Sequence, residues 1–441
     1  MPARAAPCSR REGMRYTQFV EASSDRILEG NGLRAAAGGD RIWEKDRPLR
    51  LRRRVATILA SVAVTAAALV LALFPRLIER VYTDVIGQLI GRALGGAASL
   101  VPFSVAEALM AVLVLWILGA IALAAYHVAR GRRRLKNAVV CGLLRFGAVV
   151  GGIVIFFYFA WGFNYARADL VQRMGWQAFA GKALAKPDAA RLAGLCEELV
   201  AAGNGEYERA FGCEDIGRPS APPMPMKKLD TVLNDAYARV AERLDLDPSF
   251  AIPRARAKPV LLSRIMSRLL IMGFYSPWTG EANYDTEVPA CRLPEVIAHE
   301  KAHQRGVASE DEANFFGFLA CTSSGDPYVR YSGYLMAQRL LLPELAEMDL
   351  TRAKDIIAKR FKGVQRDADA VRAFIMANIG IVSTAGRAVN NAYLTANRVK
   401  GGVKSYQLSA QLILVFAEIN GGSCVLSDAL PQATPADRGK G

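Results

Sequence analysis

Only three histidines occur in this chain of 441 residues, and two of them, His299 and His303, stand four apart in the stretch HEKAHQRG. On an α-helix, side chains at i and i+4 lie one above the other on a single face, so both imidazoles can address one ion. Glu300 flanks that ion from the neighbouring position. This is the HExxH pattern, in which two histidines bind zinc and the glutamate serves as general base toward the water on the metal. A pattern this short also occurs on solvated helix faces that bind nothing. The scarcity of histidine here argues against a chance pairing, and the surrounding residues must decide.

A catalytic zinc takes three protein ligands and keeps a position open. The remaining histidine, His127, lies far away at the end of an apolar segment, so a carboxylate has to complete the set. Residues 309–317, SEDEANFFG, supply Glu310, Asp311 and Glu312. Ser309 and Glu312 have the spacing of a capping box, in which the hydroxyl and the carboxylate satisfy each other's backbone N–H groups at a helix start. That would occupy Glu312 and leave Glu310 freer, so Glu310 ranks first and Glu312 is the alternative. Asn314, four residues beyond Glu310 on the same helix face, can orient a ligand histidine from behind. Tyr393 and Tyr406 are chemically able to support a developing oxyanion, and nothing in the sequence selects between them.

The elements that must hold these residues are legible nearby. Pro294 suits the first turn of a helix and Gly306 suits the residue just past its end, which places HEKAH on the helix between them. Residues 309–324 read as a second helix joined to the first by a short turn. Helical periodicity appears at 188–202, 228–245 and over most of 326–420, separated by the proline-rich break GRPSAPPMPMKK. The run from 258 reads as helix to about residue 270 and extended chain over 272–285. Within it, TGEANYDTEV is the candidate edge strand along which a peptide could align. The fold class is therefore mainly α with a small β element.

Membrane segments explain the 52% apolar content. Residues 55–74, 103–126 and 138–163 are each long and apolar enough to cross a bilayer as a helix. Of the net charge of +15, residues 1–54 and the loop HVARGRRRLKN at 127–137 supply 11. Both flank apolar spans, as the positive-inside rule requires, which argues against nucleic acid as the partner. The expected organisation is a basic cytoplasmic tail (1–54), a membrane region of three transmembrane helices (55–163), an extracytoplasmic domain (164–430) and a short C-terminal tail (431–441). Leu77, Val81, Val85, Leu89 and Leu94 mark an amphipathic helix between the first two spans, lying on the membrane or packing against the spans. Five of the seven cysteines fall in the outer part; Cys196 and Cys213 are a possible bridge, and unpaired thiols are the alternative.

HEKAHQRG followed by SEDEANFFGFLAC, preceded by TGEANYDTEVPACRLP and by three spans ending in WGFNYAR, resembles a bacterial family of membrane proteins of unassigned function with a zincin-like domain. More distantly, the order of motifs is similar to membrane-bound gluzincin peptidases, with Glu310 at their ligand position. This sequence has Asn314 where those have Asp, and an unusually short gap from His303 to the glutamate. The resemblance implies a multi-pass protein of the bacterial cytoplasmic membrane that binds Zn2+ and hydrolyses peptide or protein substrates, with Glu300 as the base. The competing expectation is a non-catalytic membrane protein with a structural metal site or a partner-binding role. A transporter fits less well, because Glu107 and Arg145 are the only ionisable groups in the spans.

Overall fold

The structure is a computed structural model, and it describes residues 47–132, 134–184, 188–380, 383–384 and 405–426. It is mainly helical. Three long apolar helices come first: α1 (Arg47–Leu71), α3 (Val105–Ala129) and α4 (Leu135–Ala160), with α2 (Gly87–Ala98) between the first two. At 1.5 Å per residue each of the three exceeds the roughly 30 Å hydrocarbon layer of a bilayer. Most of their apolar side chains do not build a protein core: Leu59 is 63% exposed, Leu115 68% and Leu143 65%. Such a surface is stable against lipid and not against water.

Short helical turns aside (Leu170–Arg173, Gln177–Ala183 and Pro248–Ala251 among them), the helices that follow among the described residues are α5 (Ala189–Phe211), α6 (Met226–Arg243), α7 (Ser263–Leu269), α8 (Leu293–His303), α9 (Glu310–Thr322), α10 (Pro327–Met348), α11 (Leu350–Ala358), α12 (Lys362–Asn378) and α13 (Ser405–Ile419). By packing, the chain forms two compact units. Among the described residues, one contains those up to Val62 with His127–Gly152, and the other contains Ala63–Tyr126 with those from Ile153 onward. The second unit holds a core in which Phe315, Phe318, Leu341 and Phe416 are fully enclosed.

A three-stranded sheet lies in this second unit, in the order β1 (Lys258–Pro259), β3 (Glu281–Tyr284), β2 (Gly273–Ser276). β1 runs parallel to β3, and β2 pairs with it antiparallel, Phe274 opposite Asn283. The expected extended stretch over 272–285 is thus a hairpin. TGEANYDTEV is not an edge, however: β3 is the central strand, because the two residues of β1 arrive from outside the hairpin to cover its other side. The edges are β2 and the two-residue β1.

The sheet is tied to the second span. Glu281 accepts hydrogen bonds from the Val105 and Ala106 N–H groups at 3.1 and 2.9 Å, satisfying the open first turn of α3. Glu107 returns the contact, accepting from the N–H groups of Leu261 and Leu262. Lys258, 2.6 Å from Glu281, neutralises the buried carboxylate and donates to the Ala98 and Phe103 carbonyls. The segment between the first two spans has the amphipathic character expected, with its faces sorted. Val81, Val85 and Leu89 are about half exposed, while Tyr82, Thr83 and Gln88 are buried against protein. Part of it, Ile78–Ile86, is wound as a π-helix.

Candidate metal centre

α8 is buried on nearly every side, including its charged residues. A charge enclosed without a partner would cost several kcal/mol. Lys301 therefore pairs with Asp230 at 2.8 Å, and Arg305 donates to the Asn234 side chain and the Phe250 carbonyl, its guanidinium 4.0 Å above the Tyr237 ring. The last carbonyls of the helix are also satisfied: Trp161 donates to His303 O, Gln88 to Arg305 O and Arg167 to Gly306 O. Gly306 turns the chain with a left-handed φ of 84°. These partners lock the helix in place and leave one face for chemistry.

On that face the His299 and His303 Nε2 atoms stand 3.1 Å apart. Glu310, from the first turn of α9, brings one carboxylate oxygen to 3.1 Å from His299 Nε2 and the other to 3.8 Å from His303 Nε2. Among the described residues His299, His303 and Glu310 form the one cluster able to hold a metal ion, their donor atoms all within 4.8 Å of one another. Glu312 is turned elsewhere. It accepts from the Leu170 N–H at 2.7 Å and pairs with Arg173 at 2.5 Å. Ser309 is the N-cap, but the capping box does not form: its hydroxyl bonds to the Asp311 carboxylate instead. Glu312 is occupied, though by residues 139 and 142 positions upstream.

The hydrogen bonds behind the imidazoles fix what they present. His303 Nδ1 lies 2.7 Å from the Val307 carbonyl, which can only accept, so this nitrogen carries the hydrogen. His299 Nδ1 lies 2.9 Å from the Asn314 side-chain oxygen, and the Asn314 amide nitrogen donates to Ser409 of α13. Both Nε2 atoms are then bare lone pairs aimed at a carboxylate. Three acceptors converging without a hydrogen among them repel one another, and a cation resolves the conflict. The donor set fits a metal such as zinc. Without one, a proton substitutes: burial works against charge on His303, but Glu310 outweighs it and pushes the imidazole up to about 9. Burial would likewise raise Glu310, yet His303 and His299 hold it far below the usual carboxylate range.

Glu300 is buried beside this cluster, and its Oε2 has no hydrogen-bond partner. Burial pushes its carboxyl up to about 7, with the two histidines pulling the other way and Glu310 adding to the rise. Room for it is made by Gly273 of β2: a Cβ there would lie 2.7 Å from Glu300 Oε1. Gly317 does the same between helices, since a Cβ would come within 3.3 Å of the His299 backbone nitrogen. Neither glycine stood out in the sequence, where each looks like an ordinary interruption. Tyr393 lies outside the described residues, as does the side chain of Tyr406. Cys196 and Cys213 are both free, the first buried and the second exposed.

Fold and site together define a helical protein with three helices long and apolar enough to cross a membrane and a His, His, Glu cluster where two buried helices, α8 and α9, meet. A family profile described as "Protein of unknown function (DUF3810)" matches residues 82–414, about three quarters of the chain, and the protein belongs to that family. No curated protein and no solved structure matches it.

Proposed function

We propose that the protein is a membrane-anchored, zinc-dependent peptidase of the bacterial cytoplasmic membrane, its catalytic domain outside the cytoplasm. His299, His303 and Glu310 are the zinc ligands, Asn314 orients His299, and Glu300 is the catalytic base. Zinc, when bound, supplies Lewis acidity, making water more acidic and a carbonyl more electrophilic. Glu300 takes a proton at a carboxylate oxygen as water attacks the peptide carbonyl, and returns it to the leaving amine. Its displacement toward neutral pH suits a group that must both accept and release a proton. β2 is the natural place for an extended substrate, because it is the sheet edge nearest Glu300 and no strand pairs with its outer side among the described residues.

The observation that carries this reading is the unpartnered carboxylate oxygen of Glu300, buried next to three converging donors. A purely structural metal site has no use for it, and burying it costs stability. Glu300→Gln tests the reading on membranes or solubilised protein with a broad peptide mixture. Metal content should stay near wild type while hydrolysis falls by roughly two to four powers of ten. Hydrolysis insensitive to chelators, or a variant as active as wild type, would leave a structural metal site as the better account.

A further inference from the structure

A cavity of about 300 Å³, lined by none of His299, His303 and Glu310, lies between α2 and the chain around residues 253–255. Gly91, Arg92, Gly96, Arg254, Gly280 and Gln304 line it. Arg254 is 7% exposed, and its guanidinium is only partly satisfied. One terminal nitrogen donates to Gln88 Oε1 and to the Ser249 carbonyl. The other terminal nitrogen and Nε have no partner. Three of its five N–H groups are thus unpaired in a buried position, which is costly. Arg92 makes one hydrogen bond, to the Gln88 carbonyl of its own helix. Neither arginine has an ion-pair partner among the described residues. Burial and then the charge of Arg92 lower Arg254 to about 10, so two cations share the cavity with nothing to neutralise them.

The glycines add a second observation. A Cβ on Gly96 would meet nothing within 4 Å, and one on Gly91 would meet only the Tyr275 hydroxyl, at 3.9 Å. Both glycines line the cavity, and at Gly91, the less exposed of the two, the surrounding protein leaves room for a side chain. We infer that this cavity is a binding site for a phosphate-bearing anion, held by Arg92 and drawn in by the unneutralised charge of Arg254 beside it. Planar guanidinium forks match phosphate oxygens in geometry and charge. The phosphate can be that of a lipid headgroup or free in solution. Because α2 lies between two membrane spans, with Leu89 exposed on its outer side, headgroups are close at hand.

The test uses the full chain in a maltoside detergent, which carries no phosphate. Inorganic phosphate is titrated calorimetrically at constant ionic strength, and short-chain phosphatidylglycerol binding is counted by native mass spectrometry. Wild type should bind at least one of the two probes. Arg92→Gln should weaken that binding about tenfold, the loss of one charge-assisted contact, and Gly91→Leu should block it by filling the space. Arg254→Gln is the more direct variant but risks the fold, which is why the other two carry the decision. Lipid binding alone identifies a headgroup site, and binding of inorganic phosphate identifies a soluble-phosphate site. The inference is overturned if wild type binds neither probe, or if Arg92→Gln and Gly91→Leu both bind as wild type does.

Discussion

Glu310 and Glu312 are two residues apart and chemically identical, yet the fold gives them different work, and a matched pair of isosteric variants separates the two roles. A ligand that binds only the folded state stabilises it by about 4 kcal/mol at a thousandfold excess over Kd. For a domain of more than 150 residues, each kcal/mol moves Tm by about 2–4 °C, so saturating zinc should raise the Tm of the wild-type protein by about 8–16 °C. Glu310→Gln removes the one anionic donor beside His299 and His303 and should abolish most of that rise. Glu312→Gln should keep it. The amide oxygen still accepts from Leu170 N–H, and Arg173 retains Glu79 at 3.6 Å. What Glu312→Gln loses is the 2.5 Å pairing with Arg173. That should lower stability by about 1–3 kcal/mol with or without zinc. Differential scanning fluorimetry at a series of zinc concentrations, with metal analysis of the purified variants, measures both effects. A zinc response lost in Glu312→Gln and kept in Glu310→Gln would refute the ligand assignment.

Three further expectations concern the frame around the site. A reporter active only outside the cytoplasm should be active when fused after Arg167 and inactive at position 132; the opposite pattern overturns the proposed topology. Gly273→Ala places a Cβ 2.7 Å from Glu300 Oε1, so peptide hydrolysis should fall about a hundredfold while zinc content is kept; unchanged hydrolysis would show that Glu300 need not sit where it does. Burial alone would raise Glu295, but Arg292 and Arg339, at 2.5 and 2.8 Å, hold its carboxyl below the ordinary 4.5. A depressed carboxyl contributes stability that is present above the unfolded value and lost as pH falls through the folded one. Glu295→Gln should therefore be about 3 kcal/mol less stable at pH 7, and the gap should narrow below about pH 4.5; a gap that does not change with pH in denaturant titrations contradicts this.

The limits of the sequence follow from which interactions are local. Spans and charged loops were legible because bilayer crossing imposes length and apolarity on a continuous stretch, and the observed helices Arg47–Leu71, Val105–Ala129 and Leu135–Ala160 overlap the expected segments closely. The HEKAH helix was legible because Pro294 and Gly306 bound it. The choice between Glu310 and Glu312 shows where such reasoning stops. The sequence ranked Glu310 first because Glu312 seemed busy with a cap on Ser309, a contact three residues away. The structure also occupies Glu312, but with Leu170 and Arg173, a partnership that no local pattern encodes. The sheet follows the same logic. The strands around the Pro277–Gly280 turn were readable as extended chain, whereas the covering of β3 by Lys258 and Pro259 depends on a return of the chain that leaves two residues of trace. Which strand is the edge, and therefore which one a substrate could reach, was decided by that return. The same holds for Glu300: burial among β2, α8 and α9 pushes its carboxyl up to about 7, so the residue type marks the candidate while the tertiary packing supplies the shift.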